Sequence, residues 1–160
     1  MNIKTLVING IIAALYVALS LLVSPVAFGA IQFRISEMFN HLIIFDKRYF
    51  FGITIGVFAS NLFSMAGGLD LLFGTAHTAI SLGIIIFLKK YIKNTLTLLF
   101  LNTLIFSFNM FIIAFMLKIA LNLPFLLTWL TTGASELIVL LIGIPIFYTL
   151  YKRIHFDKII

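Results

Sequence analysis

The strongest constraint on this chain is where its charges are missing. No charged residue occurs between Lys4 and Arg34, between Arg48 and Asp70, between Asp70 and Lys89, between Lys93 and Lys118, between Lys118 and Glu136, or between Glu136 and Lys152. About 20 consecutive apolar residues are enough to span a bilayer as a helix. Across its 160 residues the chain is 62% hydrophobic and 10% charged, with mean hydropathy +1.20. An ordinary soluble domain is roughly 45–50% apolar and about 25% charged. A chain this small cannot hide that much apolar surface from water, so its solvent is lipid.

The charges cut the sequence into apolar segments at 5–28, 35–46, 49–65, 69–88, 94–120 and 125–151. The first resembles a signal peptide, with Lys4 ahead of an apolar run, but it exceeds the about 7–15 residues of a cleaved apolar region and more segments follow. It therefore reads as a retained span. Segment 35–46 is the difficult one, since as an α-helix it reaches only about 18 Å against a core of about 30 Å. Charge asymmetry decides the topology. If that segment crosses, Lys4, Lys47, Arg48, Lys89, Lys90, Lys93, Lys152, Arg153 and Lys158 share one side, and only Arg34 and Lys118 lie opposite. Positive residues collect on the cytoplasmic side. The expectation is an all-α, multi-pass cell-membrane protein, one unit over residues 1–160. Six transmembrane helices form the bundle, the second is short, and both termini are cytoplasmic. Outer loops then fall at 27–36, 66–70 and 121–124.

Several chemistries drop out. There is no cysteine, and the three histidines lack metal-ligand spacing. A net charge of +6 clustered at loop ends suits a membrane surface, not nucleic acid. No GxxxxGK[ST], HExxH or GxSxG motif occurs, and no Ser/His/Asp constellation is apparent. No internal repeat of broken helices is visible.

The polar residues inside the apolar segments need reasons. Glu136 lies roughly 16 Å into the last segment, where an acid costs on the order of 2.5–3.5 kcal/mol. A ligand or ion path accounts for it better than a lone helix–helix bond. Arg34 and Glu37 are three apart and could pair as an interfacial salt bridge, or serve a ligand together with Gln32 and Ser36. Asp70 follows a Gly-Gly and suits a helix N-cap. His77 reads as a core histidine. Asn61, Asn102 and Asn109 can bond helices together, with Asn109 the best ligand candidate of the three. Trp129 fits an interfacial belt or a stacking partner for a flat ring. Gly10, Ala14 and Ala18, widened by Ala13, form a small-residue stripe for close helix approach, either inside the bundle or against a partner protein.

Four blocks, "AALYVALSLLVSPVAFGAIQFRISE", "GVFASNLFS", "GGLDLLFGT" and "GASELIVLLIGIPIF", in this order resemble the QueT family. The resemblance covers nearly the whole chain, and its first block is the most specific. It implies a substrate-capture subunit, or S component, of an energy-coupling factor (ECF) transporter. Such a subunit would bind a queuosine precursor, 7-aminomethyl-7-deazaguanine, from outside. It would dock on a transmembrane scaffold subunit and two cytoplasmic ATPases, so this chain needs no cofactor and its partners use the ATP. Ala14 and Ala18 match the family's docking patch, and the loaded subunit topples in the membrane to deliver its cargo. "IQFRISE" would belong to the substrate lid and pocket wall. Glu136 and Glu37, with Asp70 in reserve, would accept from the guanine-like N–H edge and the aminomethyl cation. Arg34 or Gln32 would donate to the ring carbonyl, and Trp129 and Asn109 complete the candidate set. Which carboxylate meets which end stays open. So do an S component for another vitamin or nucleobase, and a small membrane assembly protein.

Overall fold

The structure is a computed structural model that describes residues 2–27, 32–64, 67–156 and 160, with the side chains of Pro25 and Val26 left aside. Parts of the first two expected outer loops (28–31 and 66), the last residue of the expected span at 49–65, and Lys158 lie outside the described residues.

All regular structure among the described residues is helical. Helix α1 is Ile3–Leu22, α2 is the single turn Ser24–Ala27, α3 is Leu42–Phe45 and α4 is Phe50–Asn61. Helices α5 (Gly68–Leu88), α6 (Thr95–Asn109), α7 (Phe111–Leu121) and α8 (Phe125–Ile154) complete the bundle. Two 3₁₀ helices, Ile35–His41 and Lys47–Tyr49, lead into α3 and α4.

Four helical stretches are long and apolar enough to cross a membrane: Ile3–Leu22, Gly68–Leu88, Thr95–Leu121 and Phe125–Ile154. Of the six expected crossings, the second of them short, four reach that length. The short second segment is mostly 3₁₀, with a single α turn before Asp46. A 3₁₀ helix rises about 2.0 Å per residue, so this conformation stretches a segment that is too short as an α-helix. The expected span at 49–65 has only the twelve α-helical residues of α4. Even so, the two short segments run between the same ends of the bundle. Ser36 bonds Ser20 late in α1, whereas Lys89 Nζ donates to the Phe45 carbonyl at 3.2 Å. Gly52 donates to Asn9 early in α1, and Asn61 donates to Asp70 at the start of α5.

The expected span at 94–120 is broken at Met110, without proline or glycine. Met110 N–H turns to the Ser107 carbonyl, and the Phe106 carbonyl is taken instead by His77 Nε2 at 3.2 Å. A side chain inserted into the helix ladder is a recognised cause of such breaks. The Trp129 indole N–H donates to the Phe108 carbonyl at 2.9 Å, satisfying a second backbone group beside the break.

Polarity is inverted relative to a soluble protein. The buried face of α1 carries Thr5, Asn9, Tyr16 and Ser20, while Ile3 and Leu22 are about four-fifths exposed. Large apolar side chains on α4 to α8 also point outward, as lipid allows and water does not. The tightest packing joins α1 to α4. A Cβ on Gly52 would sit 2.8 Å from the Asn9 carbonyl oxygen, and one on Gly56 would sit 3.2 Å from Ala13 Cα. The small-residue stripe is elsewhere: Gly10, Ala14 and Ala18 are exposed, and a Cβ on Gly10 would meet nothing within 4 Å.

Candidate functional site

The 3₁₀ helix Ile35–His41 is central to the polar interior. It packs against α1 on one side and α8 on the other. Gly143 permits the second contact, since a Cβ there would lie 3.0 Å from Met38 and from His41. With three residues per turn, side chains three apart eclipse one another. Glu37 and Asn40 therefore project in one file, with Arg34 preceding them as the N-cap residue. In an α-helix each such step would rotate by about 60°.

Asn40 Nδ2 donates to Glu37 Oε2. Arg34 reaches Glu37 at 3.7 Å, but its main partner is Asp70, whose two oxygens accept from one guanidinium nitrogen at 3.0 and 2.8 Å. Arg34 Nε also donates to the Ala27 carbonyl at 3.4 Å. This corrects the expected N-cap role of Asp70. Gly67 occupies the cap with φ 60°, and Asp70 sits in the first turn of α5 with its carboxylate committed to Arg34. Asn61 Nδ2 donates to the Asp70 carbonyl at 3.1 Å, fastening α4 to the same point.

Glu136 enters from α8 and lies within electrostatic range of Glu37 and Arg34. The neighbouring hydroxyls on α8 are satisfied by their own helix; Ser135, for example, donates to the Thr131 carbonyl at 3.0 Å. Glu136 Oε1 is buried without a hydrogen-bond partner among the described residues. From α1, the Tyr16 hydroxyl lies near Glu37 and Ser36 without closing a hydrogen bond of normal geometry. From α5, His77 is within electrostatic range of Glu37, Arg34 and Asp70.

The structure thus brings together Arg34, Glu37, Asp70 and Glu136 from three separate stretches of sequence. Gln32 lies two residues ahead of Arg34 in sequence, in the left-handed region at φ 56°, buried, with neither amide atom bonded among the described residues. Asn109 and Trp129 are engaged elsewhere. Asn109 Nδ2 donates to Ser81 at 2.9 Å, and Trp129 sits among Phe108, Phe111 and Phe125. Sequence reasoning passed over Tyr16 and Asn40. The available signal for Asn40 was its spacing three residues after Glu37.

The site's chemistry follows from its groups. Three carboxyl groups face one guanidinium. Gln32 Nε2 and Oε1, Asn40 Oδ1, Glu136 Oε1 and Tyr16 OH are all buried and unpartnered among the described residues. Each such atom costs about 1–3 kcal/mol. Together they offer acceptors and donors to a compact polar molecule, with an acidic surplus suited to N–H donors or a cation.

A family profile described as "QueT transporter" matches residues 6–152. The chain is also 38% identical over 157 residues to a curated protein of Lactococcus lactis subsp. cremoris (strain MG1363), "Queuosine precursor transporter QueT", covering 92% of each chain. No solved structure matches it.

Proposed function

Since the chain belongs to the QueT transporter family, we propose that it captures a queuosine precursor, 7-aminomethyl-7-deazaguanine, at the outer face of the cell membrane. In this reading it is the S component of an ECF importer with six membrane crossings and both termini cytoplasmic. A scaffold subunit seats against Gly10, Ala14 and Ala18, and two partner ATPases supply the energy.

The observation carrying this reading is the set of buried, unpartnered polar atoms around Glu37 and Glu136. A deazaguanine presents adjacent N–H donors that a carboxylate accepts in pairs, a carbonyl that an amide N–H can meet, and an aminomethyl cation that a second carboxylate balances. Gln32, Glu37, Asn40 and Glu136 hold the complementary groups. Arg34 and Asp70, tied to each other, hold the loop before the 3₁₀ helix against α5. An assembly protein would have no use for such an interior. The exposure of the α1 stripe supports a docking role for it.

Glu136→Gln tests the reading. It replaces an acceptor oxygen with a donor NH₂, so one ligand N–H would face another donor. Affinity for the deazaguanine should weaken roughly ten- to a few-hundredfold, from the loss of a charge-assisted bond. The thermal melt should change little, because a neutral amide is easier to bury than a carboxylate. Titration in nanodiscs measures both. Unchanged affinity in a folded variant would remove Glu136 from the pocket.

A further inference from the structure

A second feature lies at the other end of the bundle, remote from Glu37 and Glu136. Two adjoining grooves open between the start of α4 and the end of α5. One, of about 320 Å³, is lined by Lys47, Arg48, Phe50, Phe51 and Ile86. The other, of about 220 Å³, is lined by Lys47, Ile86, Lys89 and Lys90. Lys47 and Ile86 line both, so the grooves lie side by side. Four cations rim this space. The acid beside them, Asp46, is engaged by Arg48 at 2.8 Å.

A solvated basic face would explain the lysines alone, but not their arrangement. Below the cations the wall is apolar: Ile86 lines both grooves, and Phe51 beside it is 54% exposed. Phe87, also 54% exposed, carries Lys90 Nζ at 5.8 Å from its ring centroid. Cationic heads above an apolar slot at the edge of a membrane bundle match one kind of molecule, with a phosphate at the top and an acyl chain below. We propose that this paired groove is a binding site for the phosphate headgroup of an anionic phospholipid. Lys47 and Lys90 meet the phosphate, and the acyl chain follows Phe51 and Ile86. Basic pockets between membrane helices are suited to such headgroups. The proposal does not depend on the identity of the transported molecule.

The test uses the full chain purified in mild detergent. Native mass spectrometry with equimolar phosphatidylglycerol and phosphatidylcholine should show selective retention of phosphatidylglycerol, and that lipid alone should raise the melting temperature. Lys47→Gln combined with Lys90→Gln should weaken retention roughly tenfold or more. Lys118→Gln, at the opposite end in the last turn of α7, should leave it unchanged. Millimolar inorganic phosphate should not displace the lipid. Equal retention of both lipids by the unaltered protein overturns the proposal, as does an equal loss in Lys118→Gln. Displacement by inorganic phosphate would reassign the groove to a soluble anion, and displacement by a polyglutamate peptide to an acidic protein segment. Either also overturns it.

Discussion

At the scale of the residue, the polar interior centres on Arg34 and its close pairing with Asp70. Arg34 and Asp70 are both buried, and among the described residues both hydrogen bonds to the Asp70 carboxylate come from Arg34. Removing one partner leaves an uncompensated buried charge, which costs about 3–5 kcal/mol, whereas removing both charges is much milder. Arg34→Gln should therefore destabilise the protein by that order, and Arg34→Gln/Asp70→Asn should recover part of the loss, the remainder belonging to Glu37, which also faces Arg34. Thermal unfolding in nanodiscs reads both, and a single variant as stable as the parent would show that the pair contributes nothing. Asp46 behaves differently because it lies outside the spans. Partial burial pushes its carboxyl up, but the Arg48 side chain and backbone N–H outweigh this and hold it below the usual aspartate range. Its stabilising contribution is complete above about pH 4, the ordinary aspartate value, and is lost as pH falls through the lower folded value. Asp46→Asn should flatten that acid limb of the stability profile and leave stability less pH-dependent below about pH 4. The charged members of the cluster were legible because a charge in an apolar run is conspicuous. Tyr16 was not, because a membrane-facing and a site-facing tyrosine look alike in sequence. Asn109 and Trp129 were singled out for their depth, which does not specify the direction in which a helix turns them.

Among the elements, α4 shows how glycine position controls helix contact. Gly52 and Gly56 press directly onto α1, and the atoms facing them include backbone, which cannot step aside. Gly52→Ala should force α1 and α4 apart and cost about 1–3 kcal/mol as overpacking. Gly10→Ala faces open space and should be neutral or gain up to about 1 kcal/mol from helix propensity. Paired melts of the two variants check this contrast. Segment ends were readable because Lys, Arg and Asp mark them. The 3₁₀ conformation of Ile35–His41 was not, since periods of 3.0 and 3.6 cannot be separated over seven residues. The break at Met110 was hidden too. It depends on His77, which lies more than twenty residues away in sequence, and not on a local breaker.

Across the whole molecule, the basic segments gather at one end. Lys47–Tyr49 approaches the C-terminal segment through the Tyr49 hydroxyl, which donates to the Phe156 carbonyl at 3.1 Å, and Lys89 reaches Phe45. Asn94 and Thr95 share a groove with Tyr151 and Lys152. Arg34, Asp70 and Lys118 belong to the other end. Such sorting was foreshadowed by the charge split, because the energetics of crossing lipid act on whole loops. The outward stripe on α1 leads to a test at this scale. If that stripe is the docking face proposed above, Ala14→Trp should leave ligand binding by the isolated protein intact and abolish uptake in cells, measured by titration and by radiolabelled substrate accumulation. Parallel loss of both would mean that the exposed face also supports the site. Helix α1 has one further consequence. Its inner turns carry Tyr16 and Ser20 toward Glu37 and Ser36, and the same turns present Ala14 and Ala18 outward. It is a party wall about 10 Å thick, with the polar cluster on one side and open surface on the other. A protein seated on the outer side would need no relay to sense the cluster. If it grips the empty and filled forms unequally, then by reciprocity the cargo is held more or less tightly by the same factor once that protein is in place.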